Sequence, residues 1–370
     1  MTTNDEKIKT PIWRESSSLI ICAKSPEKSN EYDYNILIIK RSDRTALVKN
    51  QGVFPGGIYD PFDESIEWLK YFQEFGVEQQ LLKELLVIDG ETERPKILAP
   101  QGTGCYDRFF KSSKIWAREI SLRINAIREA FEEVGVFLCR NRQQLHSKSQ
   151  TGFYLEEYDK LKWQKMVHND PKEFLNMCKK LKVIPDLWGL QEWCGWASPA
   201  IIRKGYETAF FITFLNEIPK VICEETEVKE CLWLPPPTYL QMVRQSKLFF
   251  LPPQVYELSR LVSQKSYDYL KQFSWERRKK GITMYRPIGH ICTDGLVFVL
   301  PGDDFYTGDP YKATVARSMD CTRTEFRART KCLNRIENPG SPNVLLYSNI
   351  KPFNGHLMPV SSSEKESHKL

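Results

Sequence analysis

The amino-acid sequence predicts a domain of α/β or α+β class, in which strands are mixed with helices. Two runs of β-branched and apolar residues, 16–24 and 34–41, indicate paired strands because only a polar stretch separates them. Residues 120–134 repeat apolar side chains with a helical period and end at Gly135. Further strand-like and helical runs follow in mixed order, without an internal repeat.

The composition predicts a folded chain with no membrane-spanning helix. Of the 370 residues, 41% are hydrophobic and 12% aromatic, which is enough for a core in one large domain or two ordinary ones. The mean hydropathy is −0.45, and no apolar run is long enough to span a bilayer. Residues 1–10 mix both charges, so no secretory signal is expected.

Cysteine and charge patterns exclude several classes of protein. The ten cysteines include no CxxC pair and the five histidines never fall at metal-ligand spacing, so a disulfide scaffold and a zinc finger are excluded and a reducing compartment is expected. The net charge of +6 is spread along the chain, so no nucleic-acid partner is expected. Basic clusters at residues 277–280 and 323–331 are either solvated surface or a weak attraction for a polyanionic small molecule.

The other elements follow from local patterns. The glycine-rich stretch 52–57 predicts a turn, and residues 156–182 predict a helical region broken near Pro171. Beyond residue 280, short strand-like runs alternate with turns, and the polar tail after Ser361 is expected to be disordered. The remaining predictions are a helical region at 63–86, strands at 207–215 and 227–234, and helices at 238–246 and 252–273.

The helix predicted at residues 120–134 carries the most informative pattern. At 100° per residue, its apolar side chains form one stripe centred near ~20°, and three carboxylates gather near ~190° on the opposite side. Three carboxylates at i, i+3 and i+4 repel one another, and oxygen ligands grouped in this way suit Mg²⁺ or Mn²⁺ better than zinc. The alternative is an ordinary acidic face exposed to solvent. The carboxylates are those of Glu129, Glu132 and Glu133.

Residues 128–136, REAFEEVGV, resemble the second half of the Nudix box, G-x5-E-x7-R-E-U-x-E-E-x-G-U, where U is aliphatic. The Pro-Gly-Gly turn that ends at Gly57 resembles the way that box usually begins. Gly57 and Arg128 are 71 positions apart, against 14 in the ordinary box, so the resemblance implies an insertion that lies largely within residues 63–115. The upstream acidic residue is also displaced, because Ile120 stands eight positions before Arg128, and Glu119 is therefore left out of the predicted site.

Further matches resemble the coenzyme A diphosphatase branch of the Nudix hydrolase superfamily. They comprise residues 196–199, 203–211, 227–234 and 237–240, and the resemblance covers about residues 12–275. A separate signature of coenzyme A hydrolases is half present. Arg41, Ser42 and residues 54–57 fit it, whereas Ala46 and Asn50 replace its second arginine and its first glycine.

The resemblance implies a Nudix α/β/α sandwich with a mixed sheet, a largely helical insertion inside the box and extra carboxyl-terminal elements. It implies Mg²⁺ or Mn²⁺ on Glu129, Glu132 and Glu133, with a backbone carbonyl of Gly56 or Gly57 completing the shell. Glu129 or the distal Glu227 would be the base and Arg128 would orient its neighbours. Arg41 and Arg203 are the candidates for binding substrate phosphate.

The implied organisation is a flexible stretch 1–11, a Nudix domain 12–275 with its insertion at about 58–115, a carboxyl-terminal extension 276–360 and a disordered tail 361–370. The implied reaction cleaves coenzyme A or acyl-coenzyme A to 3′,5′-ADP and (acyl-)4′-phosphopantetheine. Cleavage of NADH, ADP-ribose or a nucleotide sugar, and a binding protein that lost catalysis, remain alternatives. His368-Lys369-Leu370 resembles a peroxisomal address that an import receptor would bind; otherwise cytoplasm or mitochondrion is expected.

Overall fold

The structure is a computed structural model that describes residues 12–26, 31–86, 95–98, 118–202, 204–340 and 344–362. Its strands are β1 (Ile12–Lys24), β2 (Tyr34–Arg41), β3 (Gln51–Val53), β4 (Gly56–Ile58), β5 (Cys139–Arg140), β6 (Ile184–Pro185), β7 (Gln191–Ala197), β8 (Lys204–Leu215), β9 (Val228–Leu234), β10 (Phe249–Phe250), β11 (Met284–Tyr285), β12 (Ile288–Cys292), β13 (Gly295–Val299), β14 (Arg317–Ser318), β15 (Asn334–Asn338) and β16 (Leu345–Ser348). Its α-helices are α1 (Ile66–Phe75), α2 (Gln79–Lys83), α3 (Arg118–Val134), α4 (Lys160–Asn169), α5 (Lys172–Leu181), α6 (Pro236–Arg244), α7 (Pro252–Val262), α8 (Tyr267–Arg277) and α9 (Arg323–Ala328).

A large mixed sheet forms the centre of the molecule. Its strands run in the order β10-β3-β2-β1-β8-β7-β11, with β4 paired to β1 and β9 paired to β2. The central pair, β1 and β8, is parallel, whereas β1 with β2 and β7 with β8 are antiparallel. A second sheet, in the order β14-β12-β13-β15-β16, is built from the carboxyl-terminal region. The predicted α/β fold with a mixed sheet is confirmed.

Alternate side chains of the central strands enter two cores, one on each face of the large sheet. Leu19 and Ile21 of β1 pack into the core that contains α1, α3 and α5. Ile20 and Cys22 point the other way, into the core that contains α6, α7 and α8. The sheet is therefore covered by helices on both faces, as expected for an α/β/α sandwich.

The helix that carries the predicted site ends where the sequence predicts. Helix α3 stops at Val134, and Gly135 follows with φ +69°, a left-handed conformation that glycine adopts without strain. The break at Pro171 is confirmed as well, because α4 ends at Asn169 and α5 begins at Lys172. Strand β2 coincides with its predicted range.

Other predictions were incomplete or wrong. The turn predicted at 52–57 contains the ends of two short strands, β3 and β4, because the glycine backbone pairs with β2 and β1. The single helix predicted at 252–273 is two helices, α7 and α8, separated by residues 263–266. Strand β7 was not predicted, because it is buried on both faces and lacks the alternation of apolar and polar residues that indicates a half-buried strand.

The carboxyl-terminal region shares a core with the rest of the chain. Tyr285, Leu300, Ile336 and Leu346 pack into the same cluster as α7 and α8. The described part of the predicted insertion contains α1, α2 and 3₁₀ turns at residues 84–86 and 96–98, whereas residues 1–11 and 363–370 lie outside the described residues. The boundaries proposed for the domains remain predictions.

Two further features of the structure concern membrane-spanning helices and a disulfide bond. Within the described ranges, no helix is both long and apolar enough to cross a membrane. Cys223 and Cys231 are joined by a disulfide that ties the loop before β9 to β9 itself, with Cα atoms 6.7 Å apart. The sequence did not predict this link, which is a single local bond and not a disulfide scaffold.

Candidate active site

A glycine bend (residues 54–58) follows β3 and includes β4, which pairs with residues 16–18 of β1. Gly56 has φ +152°, and a Cβ there would collide with the Ser17 carbonyl oxygen. A Cβ on Gly57 would collide with the Glu129 carboxylate. The two glycines are therefore required by the close approach of β1 on one side and α3 on the other.

Helix α3 presents its acidic residues to this bend and not to solvent. The side chains of Glu129, Glu132 and Glu133 are only 14%, 10% and about 3% exposed. Burial of three carboxylates on one helix is costly unless other groups compensate their charge. The alternative of an ordinary acidic solvent face is therefore wrong for this helix.

Arg128 lies at the centre of the carboxylate cluster. Its Nε and Nη2 atoms donate to the two carboxylate oxygens of Asp63, each at 2.9 Å. Its Nη1 atom lies 2.9 Å from Glu129 Oε1 and 2.5 Å from Glu132 Oε1. One guanidinium thus contacts three carboxylates, and the fourth, Glu133, accepts a hydrogen bond from the Gly56 backbone N–H at 2.8 Å.

Asp63 belongs to the candidate site and was not predicted from the sequence. It stands six positions after Gly57, which is the place of the acidic residue in the first half of the Nudix box when the count runs forward from the glycine. The prediction that this acid is displaced is wrong. That prediction placed the acid eight positions before Arg128, which is on the far side of the insertion from Asp63. The insertion follows Asp63, and the bidentate ion pair with Arg128 rejoins the two halves of the box.

Asn125 of α3 also links the two halves of the Nudix box, through hydrogen bonds of its side-chain amide. It is fully buried, and its Nδ2 atom donates to the Ile58 carbonyl at 3.1 Å and to Asp63 Oδ2 at 3.2 Å. Its Oδ1 atom accepts a hydrogen bond from the Ser17 hydroxyl. One amide therefore connects β1, the glycine bend and Asp63.

The electrostatics of the site follow from burial and from crowding of like charges. Burial raises the pKa of Glu129 to about 8 and that of Glu132 to about 7, although Arg128 acts in the opposite direction. Burial also raises the pKa of Glu133 well above its ordinary value, and the Glu129 carboxylate adds to this shift. The cluster holds more negative charge than one arginine compensates, which is an environment that favours a bound cation.

The donor set suits a hard divalent ion, because it consists of carboxylate oxygens beside the backbone carbonyls of the bend. The side chains do not surround a common point as they stand. In the described part of the chain, no group of three or more His, Cys, Asp or Glu is arranged to hold a metal. Glu129 and Glu132 face Arg128 and Glu133 faces Gly56, so binding an ion would require these carboxylates to turn.

Of the other predicted site residues, two lie near the carboxylate cluster and one lies outside the described residues. Arg41 and Glu227 lie close enough to Glu133 to act on its charge. The Arg41 charge lowers the pKa of the Glu133 carboxyl, and the Glu227 charge raises it. Arg41 ends β2 opposite Val228, the residue after Glu227. Arg203 lies outside the described residues. His168, which the sequence did not indicate, places Nδ1 4.0 Å from Glu132 Oε2.

A glycine bend, an Arg-Glu helix and an acid held on that arginine together define a Nudix hydrolase. The family model of the NUDT19 Nudix domain matches residues 13–261, and the chain belongs to this family. Nudix hydrolases use a divalent metal ion as cofactor, which agrees with the excess of buried carboxylate.

Two relatives named as acyl-coenzyme A diphosphatases match nearly the whole chain, and a solved structure matches a smaller part of it. The Xenopus laevis protein named acyl-coenzyme A diphosphatase NUDT19 is 30% identical, over 97% of this chain and 98% of its own. The Homo sapiens protein of the same name is 28% identical, over 96% and 97%. A solved Nudix hydrolase from Alicyclobacillus acidocaldarius is 18% identical with a TM-score of 0.48, over 71% of this chain and 96% of that one.

Proposed function

We propose that the chain is a Mg²⁺-dependent diphosphatase that cleaves coenzyme A or acyl-coenzyme A to 3′,5′-ADP and (acyl-)4′-phosphopantetheine. The observation that carries the proposal is a group of four carboxylates beside the glycine bend, of which three contact Arg128 and the fourth accepts from the Gly56 N–H. The proposed substrate rests on two observations, the activity for which the Xenopus laevis and Homo sapiens relatives are named and the partial coenzyme A signature at Arg41 and Ser42.

The ion would be held by Glu129, Glu132, Glu133 and the Gly57 carbonyl. When bound, a divalent ion offsets diphosphate charge and lowers the pKa of its water. Arg128 fixes the orientation of Glu129 and Glu132 through its Nη1 atom. Asp63 in turn prevents the guanidinium from rotating, because it takes both Nε and Nη2. These contacts hold the carboxylates beside the glycine bend, and Glu129 and Glu132 would turn from Arg128 toward the ion when it binds.

The proton acceptor is proposed to be Glu129, with Glu227 as the other candidate. Glu129 lies against the glycine bend, and Arg128 holds its carboxylate at 2.9 Å, which suits a proton acceptor kept in one orientation. The placement of Arg41 near Glu133, at the edge of the carboxylate cluster, suits a contact with a substrate phosphate.

A substrate panel tests this function. Purified protein at fixed Mg²⁺ is given coenzyme A, acyl-coenzyme A, NADH and ADP-ribose, and the nucleotide product is identified by chromatography. We expect 3′,5′-ADP from the first two substrates and loss of this product in Glu133→Gln. Glu230→Gln, which removes an exposed carboxylate on β9, is the matched control and should retain full turnover.

Other outcomes of the panel decide the alternatives. Faster cleavage of NADH, ADP-ribose or a nucleotide sugar than of either coenzyme A substrate would contradict the substrate assignment while retaining the hydrolase. Binding of substrate without turnover at any divalent ion would instead indicate a binding protein. Replacing Mg²⁺ by Mn²⁺ in the same assay identifies the preferred ion.

The location in the cell is a separate part of the proposal. His368-Lys369-Leu370 resembles a peroxisomal address, and we propose that an import receptor binds it. A fluorescent protein fused ahead of the full chain should appear in peroxisomes, and deletion of the last three residues should leave it outside them. Peroxisomal signal that survives the deletion would contradict this part.

A further inference from the structure

The linker that precedes β9 (residues 220–227) packs across the end of helix α3. The N–H groups of Ile222 and Glu224 donate to the carbonyls of Val134 and Glu133, at 3.0 and 2.9 Å respectively. These carbonyls belong to the last turn of α3, where the helix itself offers them no donor. The linker therefore completes the end of the helix that carries the carboxylate cluster.

Helix α4 holds the linker as well. The Gln164 side chain is buried, and its Nε2 atom donates to the Glu132 carbonyl at 2.9 Å and to the Ile222 carbonyl at 2.8 Å. Four positions earlier on the same helix, the Lys160 Nζ atom donates to the Lys220 carbonyl at 2.9 Å. Because residues four apart lie on one face of a helix, a single face of α4 fixes the first half of the linker.

The carboxylate of Glu224 organises the second half of the linker into a turn. Its Oε2 atom accepts from the backbone N–H groups of Thr226 and Glu227, each at 2.9 Å, and from the Thr226 hydroxyl at 2.7 Å. The Glu224 carbonyl accepts from the Val228 N–H at 2.9 Å. Hydrogen bonds to an ionised carboxylate are stronger than those between neutral groups, so this side chain fixes the local backbone.

The turn holds Glu227 between β2 and the carboxylate cluster. The Glu227 carbonyl accepts from the Ser42 N–H at 2.8 Å, and the Ser42 hydroxyl donates to the Thr226 carbonyl at 2.6 Å. Burial raises the pKa of Glu132 and of Glu133, and the Glu227 charge adds to both shifts. The Glu227 carboxylate is therefore close enough to the cluster to act on it.

We propose that Glu224 is a positioning residue for Glu227. Its backbone N–H joins it to Glu133, a proposed metal ligand, and its carboxylate fixes the backbone of Glu227, so one residue sets the relation between the two. Glu224 acts through these hydrogen bonds and not through its charge. The inference rests on the proposed diphosphatase, in which Glu227 is one candidate for the proton acceptor.

Two substitutions at position 224 separate hydrogen bonding from charge. All three donors reach a single oxygen, which the amide oxygen of Glu224→Gln can replace while the negative charge is lost. Glu224→Leu loses the same charge and also the acceptor. Glu225 is the next residue and is exposed, so Glu225→Leu is the matched control for removal of a carboxylate from this turn.

Hydrogen exchange followed by mass spectrometry tests the hydrogen bonds directly. Peptides that cover residues 225–228 should exchange about tenfold faster in Glu224→Leu than in the parent, because two backbone N–H groups lose their acceptor. Glu224→Gln and Glu225→Leu should exchange like the parent. This measurement needs no substrate, so it decides the structural part of the proposal even if the protein cleaves none of the proposed substrates. Unchanged exchange in Glu224→Leu would overturn the proposal.

Steady-state kinetics with coenzyme A at saturating Mg²⁺ test the consequence for the reaction. Glu224→Leu should lower kcat about tenfold while KM stays within a factor of two, since the groups that bind substrate are untouched. Glu224→Gln and Glu225→Leu should keep kcat within a factor of two of the parent. In a Glu227→Gln background, Glu224→Leu should cause no further loss, because its effect passes through Glu227.

The same kinetic data can contradict the proposal in three ways. Equal losses in Glu224→Gln and Glu224→Leu would show that the charge acts by itself. A further loss of about tenfold in the double variant would show that Glu224 does not act through Glu227. Full turnover in Glu227→Gln would leave nothing to position. Absence of turnover in the parent contradicts the proposed function instead, and thermal unfolding confirms that each variant is folded.

Discussion

Two buried arginines show how differently this fold uses the same kind of ion pair. Arg260 contacts one carboxylate, Glu257, at 2.9 and 3.1 Å, and both side chains are fully buried. The indole N–H groups of Trp193 and Trp196 donate to the same carboxylate at 2.8 and 2.9 Å. Charge is balanced there, and the carboxylate oxygens have several donors.

Arg128 is equally buried but contacts three carboxylates, with Glu133 as a fourth beside them. Its cluster therefore has more carboxyl groups than cations beside the glycine bend, so protons or a bound cation must compensate the remaining charge. Both arginines are buried, and the main difference between the clusters is the ratio of carboxylate to cation. A balanced cluster serves structure, whereas an unbalanced one holds a place for a cation.

The largest expected effect concerns the balanced cluster. Glu257→Ala should lower the free energy of unfolding by about 3–5 kcal/mol, because it leaves the Arg260 charge and two indole N–H groups buried without their acceptor. Denaturant titration followed by circular dichroism measures this change. Glu276→Gln on the exposed side of α8 is the control. A loss below 1 kcal/mol for Glu257→Ala would remove the distinction between the clusters.

The unbalanced cluster should respond in the opposite way. Glu132→Gln should reduce turnover about a hundredfold, or about 2.7 kcal/mol of transition-state stabilisation. Its free energy of unfolding should stay level or rise, since a crowded like charge is removed. Steady-state kinetics and denaturant titration on one preparation give both quantities. Turnover within a factor of two of the parent would show that the carboxylate does not serve the metal.

Substitutions at Asn125 test how the ratio of carboxylate to cation affects the cluster, because Asn125→Asp replaces only the amide nitrogen by an oxygen. Asn125→Ala should lower turnover about tenfold, because the glycine bend and Asp63 lose their common donor. Asn125→Asp should lower it further and weaken the fold, since a new carboxylate would face Asp63. We would measure turnover, the apparent Mg²⁺ affinity and the free energy of unfolding of both variants. Together these quantities distinguish an effect of the added charge from a general loss of packing. If the two variants behave alike, charge at this position is irrelevant.

The smallest expected effect is a dependence on pH in metal-free protein. The folded pKa values of about 8 for Glu129 and about 7 for Glu132 exceed the unfolded value near 4.5. Between these limits the folded state binds more protons, so stability should fall as pH rises from 5 to 8. We expect the unfolding temperature in EDTA to fall by at least about 2 °C because of this linkage.

Added Mg²⁺ should stabilise the protein more at pH 8 than at pH 6, because the ion binds the deprotonated carboxylates. The double variant E129Q/E132Q should have a smaller pH slope than the parent, and Glu133, whose pKa is also raised, accounts for part of the slope that remains. A stability in EDTA that rises steadily over this range would contradict the assignment of raised pKa values.

Features that depend on neighbours in the chain were predicted correctly. Strand β2, helix α3, the stop at Gly135 and the break at Pro171 were all predicted, because periodicity and turn residues encode them locally. Strand β7, the division between α7 and α8 and the disulfide at Cys223 were missed. Strand β7 and the disulfide depend on burial and on partners far away in sequence, which leave no local pattern. The division between α7 and α8 has a local signal that was overlooked, because the Ser266 side chain caps α8 by accepting from the Tyr269 N–H.

The sequence by itself determined a helix with Glu129, Glu132 and Glu133 on one side, and a glycine turn of the kind that accompanies it. These follow from spacing along the chain, which local geometry converts directly into position. Only the tertiary structure decided that Asp63, 65 positions before Arg128, rejoins the interrupted motif. It alone decided that the acidic side is buried, because burial depends on which distant elements pack there.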